Sequence, residues 1–164
     1  DPAQILNKDF VDTLSDDYVS NYQKRGDDVL VIWSGIPFNS LCAHHIIPFW
    51  GFVYVGILVK DGVVGLSKIP RVVHTFAQRL QIQEEFTESI SLALHEIIPR
   101  ETNVKVKGTI VVVDAIHGCM VFRGAKTRSV ATTSHVTGYF LNDDKNIKSE
   151  FFSLIAPHRR QLQI

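Results

Sequence analysis

The chain has 164 residues, 45% of them apolar, with seventeen basic and seventeen acidic side chains. That length suits a single domain, and the neutral balance argues against a general nucleic-acid binder or a polybasic membrane protein, though not against a local basic pocket for a small anion. No apolar run approaches the ~20 residues of a membrane helix, and no basic patch followed by an apolar stretch opens the chain, so neither a span nor a signal peptide is expected.

Residues 1–22 carry apolar positions at Ile5, Phe10, Leu14 and Tyr18, a loose helical pattern. "VLVIW" (Val29 to Trp33) is β-branched and aromatic, and reads as a strand ended by Ser34-Gly35. "SLCAHHIIPF" follows, with Cys42 three residues before His45 and His44 between them. In "WGFVYVGILVKDGVVGLS", Phe52, Tyr54, Gly56 and Leu58 alternate with Val53, Val55, Ile57 and Val59. This is a strand with two apolar faces, then a turn at "KDG" and an extended continuation.

The period then changes. Ile69, Val72, Val73, Phe76, Ala77 and Leu80 mark an amphipathic helix, with Ser67 as its N-cap and Pro70 tolerated in the first turn. Ile82, Phe86, Ile90, Ala93, Leu94 and Ile97 mark a second helix, with Pro99 just past its end. "NVKVKGTIVVVDAIHG" alternates as a strand, "CMVFRG" reads as another extended run, and "SVATTSHVTGYF" as a third. "NIKSEFFSLI" reads as a short C-terminal helix.

Strands and helices segregate instead of alternating. The expected class is α+β, an antiparallel sheet with two consecutive antiparallel helices packed on one face. A sheet covered on one side leaves the other to hide. Val53, Val55, Ile57, Val111 and Val113 are therefore expected at a subunit interface.

Cys42 and Cys119 are the two cysteines of the chain. One disulfide in a secreted domain is one reading. Two thiols in a reducing compartment, the cytoplasm, is the other, and there nearby histidines favour metal binding. Thiolate and imidazole ligands suit zinc. In an extended run His117, Cys119, Val121 and Arg123 would share a face, repeating the thiol-plus-imidazole offer of Cys42 and His45. The blander alternative is an inert buried cysteine and a hydrogen-bonded histidine at each place. His74, His95, His135 and His158 are scattered and read as structural or solvated.

"GLSKIPRV" sets Ser67, Lys68 and Arg71 at a helix start, where free N–H groups and the helix dipole favour phosphate. With Arg123 they make three cations suited to a polyphosphate, against the alternative of ordinary solvated charge. Glu84 and Glu85 begin the second helix, where acidic residues favour the dipole; one of them could instead accept N–H bonds from a heterocycle.

"CAHHIIPFWG", "GLSKIPRVVHTFAQRLQIQEEFT", "DAIHGCMVFRG" and "ATTSHVTGYF", in this order and at these intervals, resemble GTP cyclohydrolase I. The resemblance covers about residues 41–140, with a looser continuation to Ile155. Residues 1–164 are read as one such domain, with 1–40 weakly matched. It implies the T-fold and a toroidal homodecamer with active sites at subunit junctions, and no nucleic-acid or membrane partner.

By position, the resemblance implies that Cys42, His45 and Cys119 bind zinc and that His44 and His117 move protons. It implies that Glu84, with Gln83 before it, holds the guanine edge, and that Ser67, Lys68, Arg71 and Arg123 contact triphosphate and ribose. The implied reaction is zinc-dependent opening of the GTP imidazole ring at C8, loss of formate, and closure to 7,8-dihydroneopterin triphosphate, the first step of folate and pterin synthesis. Ala43 stands where the family usually has glutamate, and Glu85 where it usually has arginine. The alternatives are a weakened purine- or pterin-binding relative and a T-fold nitrile reductase.

Overall fold

The computed structural model describes residues 28–60, 62–102, 104–142, 146–159 and 162. The helical pattern expected over residues 1–22 lies outside them. Five strands form one sheet: β1 (Asp28–Cys42), β2 (Ile47–Lys60), β3 (Leu80–Gln81), β4 (Lys105–His117) and β5 (Ala131–Val136). Their order is β3-β1-β2-β4-β5. All pairings are antiparallel except the short parallel contact of β3 with β1.

Between β2 and β4 the chain forms α1 (Lys68–Ala77) and α2 (Gln83–Glu101), packed together on one face. A single turn, α3 (Gly118–Val121), follows β4, and α4 (Ile147–Ile155) comes near the end. The α+β reading with a helix pair on one face therefore holds. Among the described residues no helix is long and apolar enough to cross a membrane.

The faces are distributed differently from expectation. Val53, Val55, Ile57, Val111 and Val113 are fully buried inside this chain, against Ile69, Val72, Phe86 and Leu94 of the helix pair. They are not held for a subunit interface, because strand alternation turns them toward α1 and α2. The opposite face carries Tyr54, Leu58, Ile110 and Val112. There α4 lays Ile147, Phe151 and Ile155 over them. Gly56 makes room for that helix: a Cβ there would come within 2.7 Å of both Ile110 and Phe151.

Three local expectations change. Ser34-Gly35 does not end β1; Gly35, at φ 90°, forms a bulge and pairing resumes at Ile36. Pro99 lies inside the last turn of α2, exposed, and the helix closes with Thr102 N–H donating to Ile98 O. Residues 63–65 have no regular structure, and 66–67 turn into α1.

Farther down the second face, Asp114 is buried and accepts from Arg159 through both carboxylate oxygens, and from Thr132 Oγ1 at 2.6 Å. This ties the segment after α4 to the sheet. Phe151 is the largest side chain that α4 buries, so Phe151→Ala should cost about 3–5 kcal/mol by leaving a cavity under the helix. Denaturant unfolding should show a lower midpoint at unchanged slope.

Candidate functional site

Cys42 ends β1, Ile47 begins β2, and the two residues pair. Residues 43–46 turn between them. The Ala43 N–H donates to Gln81 O of β3 at 3.0 Å, and the Ile46 N–H to Cys42 O at 2.8 Å. Ile46 closes the turn at φ 57°. A β-branched residue there costs about 1–3 kcal/mol and persists only where its surroundings force it. Here the hairpin ladder on one side and β3 on the other leave the turn no slack. The turn holds His44 and His45 exposed, their ring centroids 6.1 Å apart. Cys42 points inward instead, into the core beneath the helices.

β4 arrives at the same end of the sheet. Its last residue, His117, pairs with Phe49, and the two rings stack at 4.8 Å, 5° from parallel. Gly118 then packs so tightly that a Cβ would lie 2.6 Å from Ile47 Cγ2 and 2.9 Å from Pro48 O. The chain winds into α3 at this point, so the extended run expected at Cys119–Gly124 is absent. Beyond Phe49 the partner strand β2 has only two more residues. Cys119 is therefore placed by a helical turn, half-buried, with Arg123 exposed beyond it.

The start of α2 supplies the third wall. Gln83 is 2% exposed, whereas Glu84 beside it is exposed. Gln83 Nε2 donates to Val113 O at 3.0 Å, Ala131 O at 3.0 Å and Thr133 Oγ1 at 3.1 Å, and Gln83 Oε1 lies 2.8 Å from His117 Nε2. Burial lowers the pKa of His117 below its ordinary 6.5; Glu84 opposes this shift and His44 adds to it. Among the described residues, no three His, Cys, Asp or Glu side chains already converge as a metal cage. Cys42 and Cys119 are both free thiols.

Cys42, His44, His45, Gln83, Glu84, His117 and Cys119 thus belong to one end of the sheet. Ser67, Lys68 and Arg71 do not. Trp33 Nε1 donates to Leu66 O at 2.9 Å, while Ser40 Oγ donates to Arg79 O at 3.0 Å, so α1 runs alongside β1 with its start beside Trp33. From Trp33 to Cys42 the strand covers on the order of 30 Å. At that far start Lys68 is buried, Arg71 and Ser67 are exposed, and Ser67 makes no capping bond through its side chain. Of the other histidines, His74 Nε2 lies 3.0 Å from Pro37 O, His135 Nε2 lies 3.9 Å from Glu88, and His158 is exposed. Sequence reasoning missed Phe49 and Thr133 as neighbours of the site. Their relevance comes from strand register, which no local pattern reveals.

The family model for GTP cyclohydrolase I matches residues 5–156. The chain belongs to this family. GTP cyclohydrolase 1 of Campylobacter jejuni subsp. jejuni is 47% identical over 133 residues, covering 80% of this chain and 66% of the relative. The same-named protein of Campylobacter lari is 43% identical, covering 94% and 72%. That of Chlorobaculum tepidum is 39% identical, covering 96% and 62%. The chain spans slightly under two thirds of the length of the first of these relatives. Among solved structures, a Burkholderia dihydroneopterin aldolase bound to guanine matches with TM-score 0.48 at 10% identity, over 68% of this chain and 92% of that one.

Because burial favours the neutral ring, the folded chain binds fewer protons at His117 than the unfolded chain just below pH 6.5. That contribution to stability is present above pH 6.5 and lost as pH falls. In the metal-free protein, the His117 Cε1 proton resonance should titrate below 6.5. Glu84→Gln should lower that midpoint further, and His44→Ala should raise it.

Proposed function

We propose that the chain acts on GTP as the family name implies, as a zinc-dependent cyclohydrolase yielding formate and 7,8-dihydroneopterin triphosphate. The observation that carries this reading is the gathering of two thiols, two exposed imidazoles, a half-buried third and an exposed carboxylate at one end of the sheet. The donor set fits zinc, which prefers thiolate and imidazole and keeps a position open when catalytic. Cys42, His45 and Cys119 would hold it. The exposed His45 ring is the ligand that must turn inward. When bound, zinc supplies a water acidic enough to lose its proton near neutral pH.

The chain's own residues do the rest. Glu84, exposed at the first turn of α2, accepts N–H bonds from the guanine edge and fixes the purine. His117, held below its ordinary pKa, and His44, on the exposed turn, take and return protons at the imidazole ring of guanine as it opens and formate departs. Net, one water is consumed and formate is released. The phosphates stay intact, so Ser67, Lys68, Arg71 and Arg123 act by anchoring.

The distance between the two groups bears on assembly. Residues at the start of α1 lie too far along β1 to reach a substrate seated at His117 of the same chain. One chain's Ser67, Lys68 and Arg71 would therefore complete a site built on another chain's His117, which supports a homo-oligomer, the decamer of the family, with shared sites. The Ala43 backbone is held by its bond to Gln81 O whatever its side chain, so the turn keeps its shape without the usual glutamate. Free thiols suit the cytoplasm.

Zinc-loaded protein incubated with GTP should release formate and build pterin fluorescence. Cys119→Ser should lose zinc, whereas His117→Ala should keep zinc and lose about 10²-fold or more in kcat. No turnover at full zinc occupancy would refute the enzyme reading and leave a nucleotide-binding relative. Co-expressing Lys68→Ala with His117→Ala chains should recover part of the activity that each lacks alone; no recovery would place both residues in one chain's site.

A further inference from the structure

The Gln83 amide can sit only one way round. Two of the three oxygens around its Nε2, Val113 O and Ala131 O, are carbonyls with no hydrogen to give, so the NH₂ group must face them. The third settles by the same logic. Thr87 Oγ1 donates to Gln83 O at 2.8 Å, so its 2.6 Å contact with Thr133 Oγ1 takes the Thr133 hydrogen. Thr133 Oγ1 is thereby left to accept from Gln83 Nε2. A flipped amide would aim Oε1 at two bare carbonyls around a buried side chain, each a repulsive contact. Oε1 therefore faces His117, and an amide oxygen can only accept. His117 must carry its hydrogen on Nε2.

Phe49 adds the second restraint. Its ring lies flat on the imidazole, so tilt is blocked by the stack and in-plane rotation by the hydrogen bond. Nδ1 has no hydrogen-bond partner among the described residues.

We infer that Gln83 is a positioning residue for His117: its side-chain oxygen, locked by Val113, Ala131 and Thr133, holds the imidazole with hydrogen on Nε2 and leaves Nδ1 as the nitrogen offered to substrate. Gln83 is then not a contact of the purine, as its place beside Glu84 in the sequence suggests. Buried to 2% exposure and committed at both ends of its amide, its side chain is turned away from a ligand. Consecutive residues at one helix start divide the work: Glu84 faces outward for the substrate, Gln83 inward for the histidine. The functional half of this inference rests on the cyclohydrolase reading; the tautomer does not.

The test compares wild type with Gln83→Met, which keeps length and volume but removes the acceptor, and with Gln83→Glu, which keeps an oxygen facing His117 and, as the protonated acid, turns its hydroxyl to the two carbonyls that Nε2 served. All three are zinc-loaded, with zinc content and Tm measured. Long-range ¹H–¹⁵N spectra of histidine-labelled protein at a pH where His117 is neutral read the tautomer directly. Wild type and Gln83→Glu should show Nε2–H; Gln83→Met should show a mixture or Nδ1–H. With GTP, Gln83→Met should lose at least about tenfold in kcat with KM little changed, and Gln83→Glu should recover part of it.

Nδ1–H in wild type would overturn the inference whether or not GTP is the substrate. So would a Gln83→Met protein whose KM rises while kcat holds, the signature of a purine contact. If Gln83→Met does not fold, the wild-type tautomer and the Gln83→Glu kinetics still decide: a loss in kcat of about tenfold or more with Nε2–H retained would also overturn it. A wild type that shows Nε2–H but releases no formate would refute the cyclohydrolase reading alone.

Discussion

β2 is the constraint on which the rest hangs. It is paired along nearly its whole length with β1 on one side and β4 on the other. Such a strand cannot slip by one residue without turning every side chain to the wrong face. Gly51 shows how close the fit is, since any Cβ there would run into the Asp114 carbonyl of β4. Register along β2 therefore determines which residues of two sequence-distant strands stand side by side. It sets Cys42 opposite Ile47 and His117 opposite Phe49.

Chemistry collects where those ladders end. The β1–β2 turn projects His44 and His45, the end of β4 delivers His117 and Cys119, and α2 begins with Gln83 and Glu84 against β4 and β5. Rigid strands carry each group to the rim, and short turns finish the placement. The hydroxyl chain of Thr133 and Thr87 and the amide of Gln83 then make a largely buried polar network bonded at each named atom, the condition under which such a network specifies one arrangement. The same rigidity keeps the basic start of α1 away, beside Trp33. A long strand that gathers the thiols and imidazoles at one end thus holds the basic start of α1 toward the other.

Much of the fold was legible locally. The helix pair announced itself by period and most of the strands by alternation. The misreadings share a cause. Ser34-Gly35 looked like a stop because Gly punctuates loops, yet strand pairing on both sides of it made it a bulge. "CMVFRG" looked extended because its residues favour strands, yet Gly118 packs against Ile47 and Pro48 where β2 is about to end. The valines of β2 and β4 looked like surplus for an interface because a sequence does not say which face the helices will take.

By itself the sequence determined the helix pair, most of the strands, the α+β class, and the motifs that mark the GTP cyclohydrolase I family. These are properties of residue identity and near-neighbour spacing. Only the tertiary structure decided that Gln83 turns inward while Glu84 turns outward, that Phe49 stacks on His117, and that Ser67, Lys68 and Arg71 lie at the far end of β1. Each of those depends on the register between strands tens of residues apart, and register is set by packing across the sheet.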